Sequence, residues 1–126
     1  MNDKAGLPII FKSIALTDIN FFRMRIAFKM KLKPGCSNEY ERRHDGIWPA
    51  LKKLLKDAGI YDYSIYLDEE TNTLFAVQKT NESGGSQELA QHEVVQEWWK
   101  YMQDIMETNP DHSPISVPLK EVFRLE

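Results

Sequence analysis

The chain has 126 residues, 42% of them hydrophobic and 28% charged, which is typical of a single globular domain with its own core. Its net charge of −3 and its lack of dense Lys/Arg runs argue against nucleic acid or an anionic membrane as a partner. The single cysteine, Cys36, cannot form an internal disulfide, and no apolar run reaches the roughly 18 residues that span a bilayer, so we expect a cytoplasmic protein.

The N-terminal part of the chain divides near residue 23. Residues 1–22 show no sustained hydrophobic period and are interpreted as a loosely docked or disordered extension, with one domain over 23–126. From Met24 to Leu32, apolar side chains alternate with mostly charged ones. This period of two predicts a half-buried strand.

A helical region follows the first strand. Ser37 is a plausible N-cap for a helix that carries His44. Pro49 lacks a backbone donor and clashes with the preceding turn, so we expect the helix to kink or restart there. The restarted segment, residues 50–58, has a leucine stripe, and Gly59 is a natural helix stop.

The second half of the domain repeats this alternation of elements. Strands are predicted over 61–67 and 73–80 as a hairpin, a helix over 87–106 and a closing strand over 119–125. The order β-α-β-β-α-β predicts an α+β, ferredoxin-like fold in which both helices cover one face of an antiparallel sheet. Several proteins of this type pair two sheets as a dimeric α+β barrel, so we expect a homodimer by analogy.

Three groups of side chains could carry chemistry. Tyr40 and His44 are four positions apart and share a helix face, and imidazole is well matched to proton transfer near neutral pH. The adjacent Trp98 and Trp99 point about 100° apart on a helix, so one can pack inside while the other lines a cavity, where an indole stacks well on a sugar. Tyr63 supplies a hydroxyl from a strand. Taken singly, the histidine and tyrosines are more often structural, and the tryptophans are as often core residues as ligands.

Other chemistries have weaker support. Cys36 and His44 lack a marked third member for nucleophilic catalysis, and His92 and His112 lack metal-ligand spacing. The sequence has no Gly-rich phosphate loop, which argues against a nucleotide enzyme. We therefore expect no metal and no cofactor.

Four motifs, in this order, resemble the L-rhamnose mutarotase family. They are Glu-Tyr-x-Arg-Arg-His-x-x-Ile-Trp-Pro at 39–49, Tyr-x-Ile-Tyr-Leu-Asp at 63–68, Trp-Trp-Lys-Tyr-Met at 98–102 and Asn-Pro-Asp-x-Ser-Pro at 109–114. The resemblance covers the chain from residue 24 onward. It implies a dimeric isomerase of ferredoxin-like type that interconverts the α and β anomers of L-rhamnose, or of a related 6-deoxy sugar.

The resemblance also implies roles for individual residues. His44 would be the proton donor, and the sugar would be contacted by Tyr40, Tyr63, Trp98 and Trp99. Opening the sugar ring needs a proton delivered to O5 and one removed from the anomeric hydroxyl, and we assign protonated His44 to the O5 side. The second acid/base group stays unnamed. Two alternatives stay open: a haem-binding monooxygenase of the dimeric α+β barrel type with His44 as iron ligand, and a non-catalytic sugar-binding module.

Overall fold

The computed structural model describes residues 24–81 and 85–126, so the predicted extension over 1–22 lies outside the described residues. Within them, four strands form one antiparallel sheet in the order β2-β3-β1-β4. The elements in chain order are β1 (Met24–Lys31), α1 (Ser37–Asp45), α2 (Pro49–Asp57), β2 (Ile60–Asp68), β3 (Thr73–Thr80), a 3₁₀ turn (Ser86–Glu88), α3 (Glu93–Met102) and β4 (Val117–Pro118). Both β1 and β2 run antiparallel to β3, which is the predicted ferredoxin-like arrangement.

The central strands explain which sheet face is covered. Phe28 lies opposite Ala76 and Met30 opposite Leu74, and all four are buried in one core with side chains from the helices. Since alternate side chains point to opposite faces of a sheet, the intervening Phe75 points to the other face. The predicted alternation of β1 is confirmed.

The break between the first two helices is also confirmed. Pro49 is the first residue of α2, where its missing N–H costs no hydrogen bond. Gly59 lies just beyond the end of α2 with a φ of +83°, a conformation that glycine adopts without strain. The predicted N-cap is wrong, because Ser37 is already the first residue of α1 and Cys36 occupies the cap position without a side-chain hydrogen bond.

The second predicted helix is wrong at both ends. Instead of covering 87–106, α3 begins at Glu93, because His92 is extended at φ −80° and ψ 131°. The apolar period that suggested a longer helix includes Met106, which follows the helix and forms an isolated bridge with Leu32. Met106 is 4% exposed and belongs to the main core, although it lies outside the helix.

A closing strand is present, as predicted, but its predicted bounds are wrong. Only Val117 and Pro118 pair with β1 as a strand, and residues 119–125 form none. Val122, Phe123 and Leu125 are 86%, 77% and 85% exposed. The segment therefore has the composition of a strand, but these three side chains are left exposed by residues 24–81 and 85–126. None of the helices in the described ranges is long and apolar enough to cross a membrane.

Candidate active site

A cavity of about 740 Å³ lies between the helices and the covered face of the sheet. Small-molecule sites usually measure about 300–1,000 Å³. All five residues predicted to form the site line it: Tyr40, His44, Tyr63, Trp98 and Trp99. The fold therefore brings together residues from α1, β2 and α3 that are far apart in sequence.

His44 sits between two aromatic rings. Tyr40, one turn earlier on α1, stacks on the imidazole with 4.2 Å between ring centroids and 27° between planes. Trp98 of α3 meets the imidazole edge to face, at 5.4 Å and 87°. The predicted pairing of Tyr40 and His44 on one helix face is confirmed.

The hydrogen bond of the imidazole fixes which nitrogen is basic. Nδ1 of His44 lies 3.2 Å from the carbonyl oxygen of Tyr40. A carbonyl can only accept, so Nδ1 carries the hydrogen and Nε2 keeps the lone pair in the neutral ring. Burial lowers the pKa of His44, against a smaller opposing effect of this hydrogen bond. The neutral imidazole, a proton acceptor at Nε2, is therefore the main form at neutral pH.

The two tyrosines are placed as hydroxyl donors. Burial raises the pKa of Tyr40, with a smaller contribution from Tyr63, and it also raises the pKa of Tyr63. Both phenols therefore stay protonated at physiological pH. Ser86 and Gln78 lie close enough to the Tyr63 side chain to oppose part of the rise in its pKa.

A bulge in β2 turns Tyr63 toward the helices. The pairing with β3 shifts register between Tyr61 and Ser64, and Asp62 within the bulge has a φ of +49°. An extra residue in one strand re-aims the side chains that follow it. As a result both Ile60 and Tyr63 face the cavity, although a regular strand would place residues three apart on opposite faces.

Gln78 is a buried polar residue that sequence reasoning missed. It is 0% exposed, its Nε2 donates to Ser86 Oγ at 2.9 Å, and its Oε1 accepts from the Ser86 N–H at 2.6 Å. The available signal was a polar side chain at an inward position of β3, in line with Leu74 and Ala76. Gly85 belongs to the same arrangement, because a Cβ there would lie 2.3 Å from Gln78 Oε1.

Both tryptophans line the cavity. We expected one of them to pack in the core and the other to line a cavity, but both do both: Trp98 is 7% exposed and Trp99 is 8% exposed. The Trp98 ring also packs against two other aromatic rings. Its centroid lies 5.1 Å from that of Trp48, edge to face, and 5.6 Å from that of Tyr101. Trp48 stands in the 39–49 motif, but its contact with α3 could not be deduced from its position there.

The described residues do not form a set of side chains that could coordinate a metal ion. Over residues 24–81 and 85–126, no three His, Cys, Asp or Glu side chains come together in a way that could hold one. The cavity wall combines aromatic rings, tyrosine hydroxyls and aliphatic side chains such as Met30 and Met102 with charged side chains such as Glu41, Asp45 and Lys52.

A family model described as L-rhamnose mutarotase matches residues 25–125. The chain belongs to the L-rhamnose mutarotase family. An L-rhamnose mutarotase of Bacteroides thetaiotaomicron is 63% identical over 102 residues, which are 81% of this chain and 98% of the relative. One from Formosa agariphila is 60% identical over the same length and coverage. The resemblance inferred from the four motifs is confirmed.

Solved structures agree with this mutarotase assignment. The crystal structure of the L-rhamnose mutarotase FA22100 from Formosa agariphila matches with a TM-score of 0.75 and 56% identity, over 82% of this chain and 99% of that one. A conserved protein from Methanosarcina mazei, 14% identical with a TM-score of 0.54 over 85% of this chain and 98% of that one, shows the fold alone. The comparisons favour a mutarotase over the haem-binding alternative.

Proposed function

We propose that this protein is a sugar mutarotase that interconverts the α and β anomers of L-rhamnose or a related 6-deoxy sugar. The observation that carries the proposal is the His44 imidazole, which lines a sugar-sized cavity in contact with Tyr40 and Trp98. The family assignment, with relatives named for L-rhamnose, supports the choice of substrate.

The proposed chemistry is a reversible opening of the sugar ring at the C1–O5 bond. The proton leaves the anomeric hydroxyl as another arrives at O5, and O1 becomes a carbonyl oxygen. After rotation of the aldehyde, the reverse steps close the ring on its other face. The reaction involves no oxidation, reduction or phosphate transfer, so the chemistry itself requires no cofactor.

His44 is proposed to handle the proton of the anomeric hydroxyl. Because burial lowers its pKa, the protonated form that the sequence suggested for the O5 side is the minor form in this cavity. Neutral His44 accepts the anomeric proton at Nε2 and returns it to O1 when the ring closes. O5 receives its proton from a water held by a tyrosine hydroxyl, and that water takes a proton back from O5 when the ring closes. Burial raises the pKa of Tyr40 and of Tyr63, so both phenols stay protonated and serve as hydrogen-bonding groups for this water.

The cavity wall supports a 6-deoxy sugar. The indole faces of Trp98 and Trp99 suit the C–H face of a pyranose, and the aliphatic wall suits the methyl group at C6. Tyr63 supplies a hydrogen-bonding group on the opposite, strand side of the cavity. An apolar pocket discriminates only about 10²-fold against an added hydroxyl, so we expect L-mannose, the C6-hydroxylated counterpart of L-rhamnose, to react more slowly but measurably.

Saturation-transfer NMR of anomer exchange tests the proposal directly. Wild-type protein is added to L-rhamnose, L-mannose, L-fucose and D-glucose, and exchange is compared with the buffer rate. We expect clear acceleration for L-rhamnose and little for D-glucose. Binding of L-rhamnose without acceleration would support the non-catalytic sugar-binding module instead and overturn the enzyme.

We also propose that the protein forms a homodimer through the uncovered face of the sheet. This face carries Tyr66, Phe75 and Val117, which are 64%, 36% and 46% exposed. Exposed apolar side chains gathered on one sheet face are typical of an interaction site, and here Lys29 lies between Phe75 and Val117. The exposed C-terminal segment, with Phe123 at its centre, adds further apolar surface suited to a second copy.

Two further expectations stay predictions, the N-terminal extension over 1–22 and the cytoplasmic location. The extension is supported by a family match that begins at residue 25.

A further inference from the structure

Arg43, the residue before His44, lies at the centre of a charged cluster that does not line the cavity. Its side chain is only 10% exposed. Its Nε donates to Glu39 Oε2 at 2.7 Å, and its two terminal nitrogens donate to the two carboxylate oxygens of Asp104 at 2.8 and 3.2 Å. Nη1 also donates to the backbone oxygen of Tyr101 at 2.8 Å.

These contacts join two helices of the site. Glu39 is in the first turn of α1, whereas Tyr101 is in the last turn of α3 and Asp104 lies just beyond it. The guanidinium carbon also lies 4.7 Å from the centre of the Tyr101 ring. Arg43 therefore connects the helix that carries His44 with the helix that carries Trp98.

Only an arginine can make this set of contacts. Its planar fork bonds a carboxylate through two nitrogens while a third faces elsewhere, and it stacks on aromatic rings. Both carboxylates are ionised at neutral pH, because Arg42 and Arg43 lower the pKa of Glu39 to about 2 and Arg43 lowers that of Asp104. Exposed ion pairs contribute little, but here the arginine itself is shielded.

We propose that Arg43 is a positioning residue that fixes α1 against the end of α3 and so holds the His44 imidazole edge-on to Trp98. Arg43 acts through His44 and does not contact the sugar. The inference rests on the proposed function only for its kinetic consequence, because the geometry of the two rings can be measured without any sugar.

The test compares Arg43→Lys with wild type. Lysine keeps the positive charge but lacks the planar guanidinium group that bonds both carboxylate oxygens of Asp104. The matched control is Lys53→Gln, which removes an exposed ion pair to Asp57 on α2. For each protein we measure kcat and KM for L-rhamnose exchange, the melting temperature, and the NMR shifts of the His44 ring protons, which the Trp98 ring current displaces.

We expect R43K to lower kcat about 10-fold, since small misplacements of a reacting group are costly. KM should change less than about twofold, because Arg43 makes no sugar contact. The His44 ring protons should move toward unshifted values in R43K, while K53Q matches wild type in kcat, KM and shifts. If R43K does not fold, Asp104→Asn, which weakens the same fork at its exposed end, should shift kcat and the His44 resonances in the same direction.

Three results would overturn the positioning role. The first is a folded R43K with wild-type kcat and His44 shifts, whatever its melting temperature. The second is a raised KM at unchanged kcat, which would mean direct sugar contact. The third is a lowered kcat with unmoved His44 shifts. Wild-type protein that fails to accelerate anomer exchange would sink the proposed function instead, and the His44 shifts of R43K would still decide the role of Arg43.

Discussion

The Nδ1 atom of His44 lies 3.2 Å from the carbonyl oxygen of Tyr40, one helical turn earlier on α1. The backbone of the helix thus sets the tautomer of the side chain proposed to move the proton. A hydrogen bond to a partner that cannot rotate away keeps the ring aligned, and the stacked Tyr40 ring covers one face of the imidazole.

Replacing His44 with Asn should remove the proton acceptor while keeping a polar side chain of similar reach. We expect kcat to fall about 10²- to 10⁴-fold, the usual contribution of general acid–base help. Saturation-transfer NMR with L-rhamnose measures the change, and circular dichroism checks the fold. Exchange as fast as wild type in a folded variant would remove His44 from the mechanism.

The pH dependence follows from the direction of the His44 pKa. Burial lowers this pKa below its ordinary value of 6.5, and the proposed base is the neutral ring. We therefore expect kcat/KM to rise with pH through the lowered pKa and to level off by about pH 7. NMR titration of the His44 ring protons locates the same midpoint. A rate that instead falls as pH rises through this midpoint would restore the protonated imidazole as the active form.

The free energy of unfolding should also depend on pH through the titration of His44. With the folded pKa below the unfolded one, the unfolded chain binds more protons between the two values. The contribution of neutral His44 to stability is therefore complete above about pH 6.5, the ordinary value, and is lost as pH falls toward the folded pKa. Urea unfolding at several pH values should show this slope in wild type and a flatter one in His44→Asn. Equal slopes would mean that His44 titrates alike in both states.

Gly85 should be intolerant of a side chain. A Cβ there would lie 2.3 Å from Gln78 Oε1 and 3.0 Å from the Ile26 side chain, so Gly85→Ala must displace the buried amide from Ser86. We expect a loss of about 1–3 kcal/mol in unfolding free energy, typical of a buried polar group deprived of its partner. KM for the sugar should also rise, because Gln78 and Ser86 are close neighbours of the Tyr63 side chain.

The matched control for this substitution is Gly46→Ala. There a Cβ would meet only backbone oxygens at 3.8 and 3.9 Å, and φ is −101°, so alanine fits without strain. Urea unfolding and anomer exchange are measured for both variants. A Gly85→Ala protein as stable as the Gly46→Ala protein, with unchanged KM, would show that the Gln78–Ser86 contact is dispensable.

The dimer proposal predicts that a charge on the uncovered sheet face separates the subunits. Phe75→Asp places a carboxylate among the exposed apolar side chains of that face, and burying it unpaired against a second copy would be costly. Light scattering coupled to size exclusion should show a dimer for wild type and a monomer for this variant. Ala50→Asp, on the exposed side of α2, adds the same charge and should remain dimeric. A monomeric wild-type protein would contradict the proposal.

The parts of the fold that could be predicted are those set by local patterns. The alternation from Met24 to Leu32 specifies a strand by itself, and Pro49 and Gly59 begin and end helices through their own backbone chemistry. The bounds of the segments at 87–106 and 119–125 could not be predicted, because Met106 packs against residues outside its own segment and Phe123 is left exposed. A hydrophobic pattern indicates that a side chain is to be buried, but it does not indicate which part of the structure the side chain packs against.

The residues of the candidate site also fall into those that could be predicted from the sequence and those that could not. Its cavity-lining residues were found because their types stand in motifs whose spacing resembles a family. Gln78 stands in none of these motifs, and Arg43 stands in the 39–49 motif but was given no role there. Their contacts with Ser86 and Asp104 are created only by the tertiary structure. Sequence reasoning thus identified five residues that line the cavity and missed the polar contacts made around them.

The interruption at Pro49 has one further consequence. It leaves α1 only nine residues long, and a helix of that length is marginal in water by itself. Its helical state therefore depends on docking through Tyr40 and Arg43, and it should open as a small cooperative unit before the rest of the molecule unfolds. His44 lies on this helix, so amide protection along α1 and the rate of anomer exchange should rise and fall together.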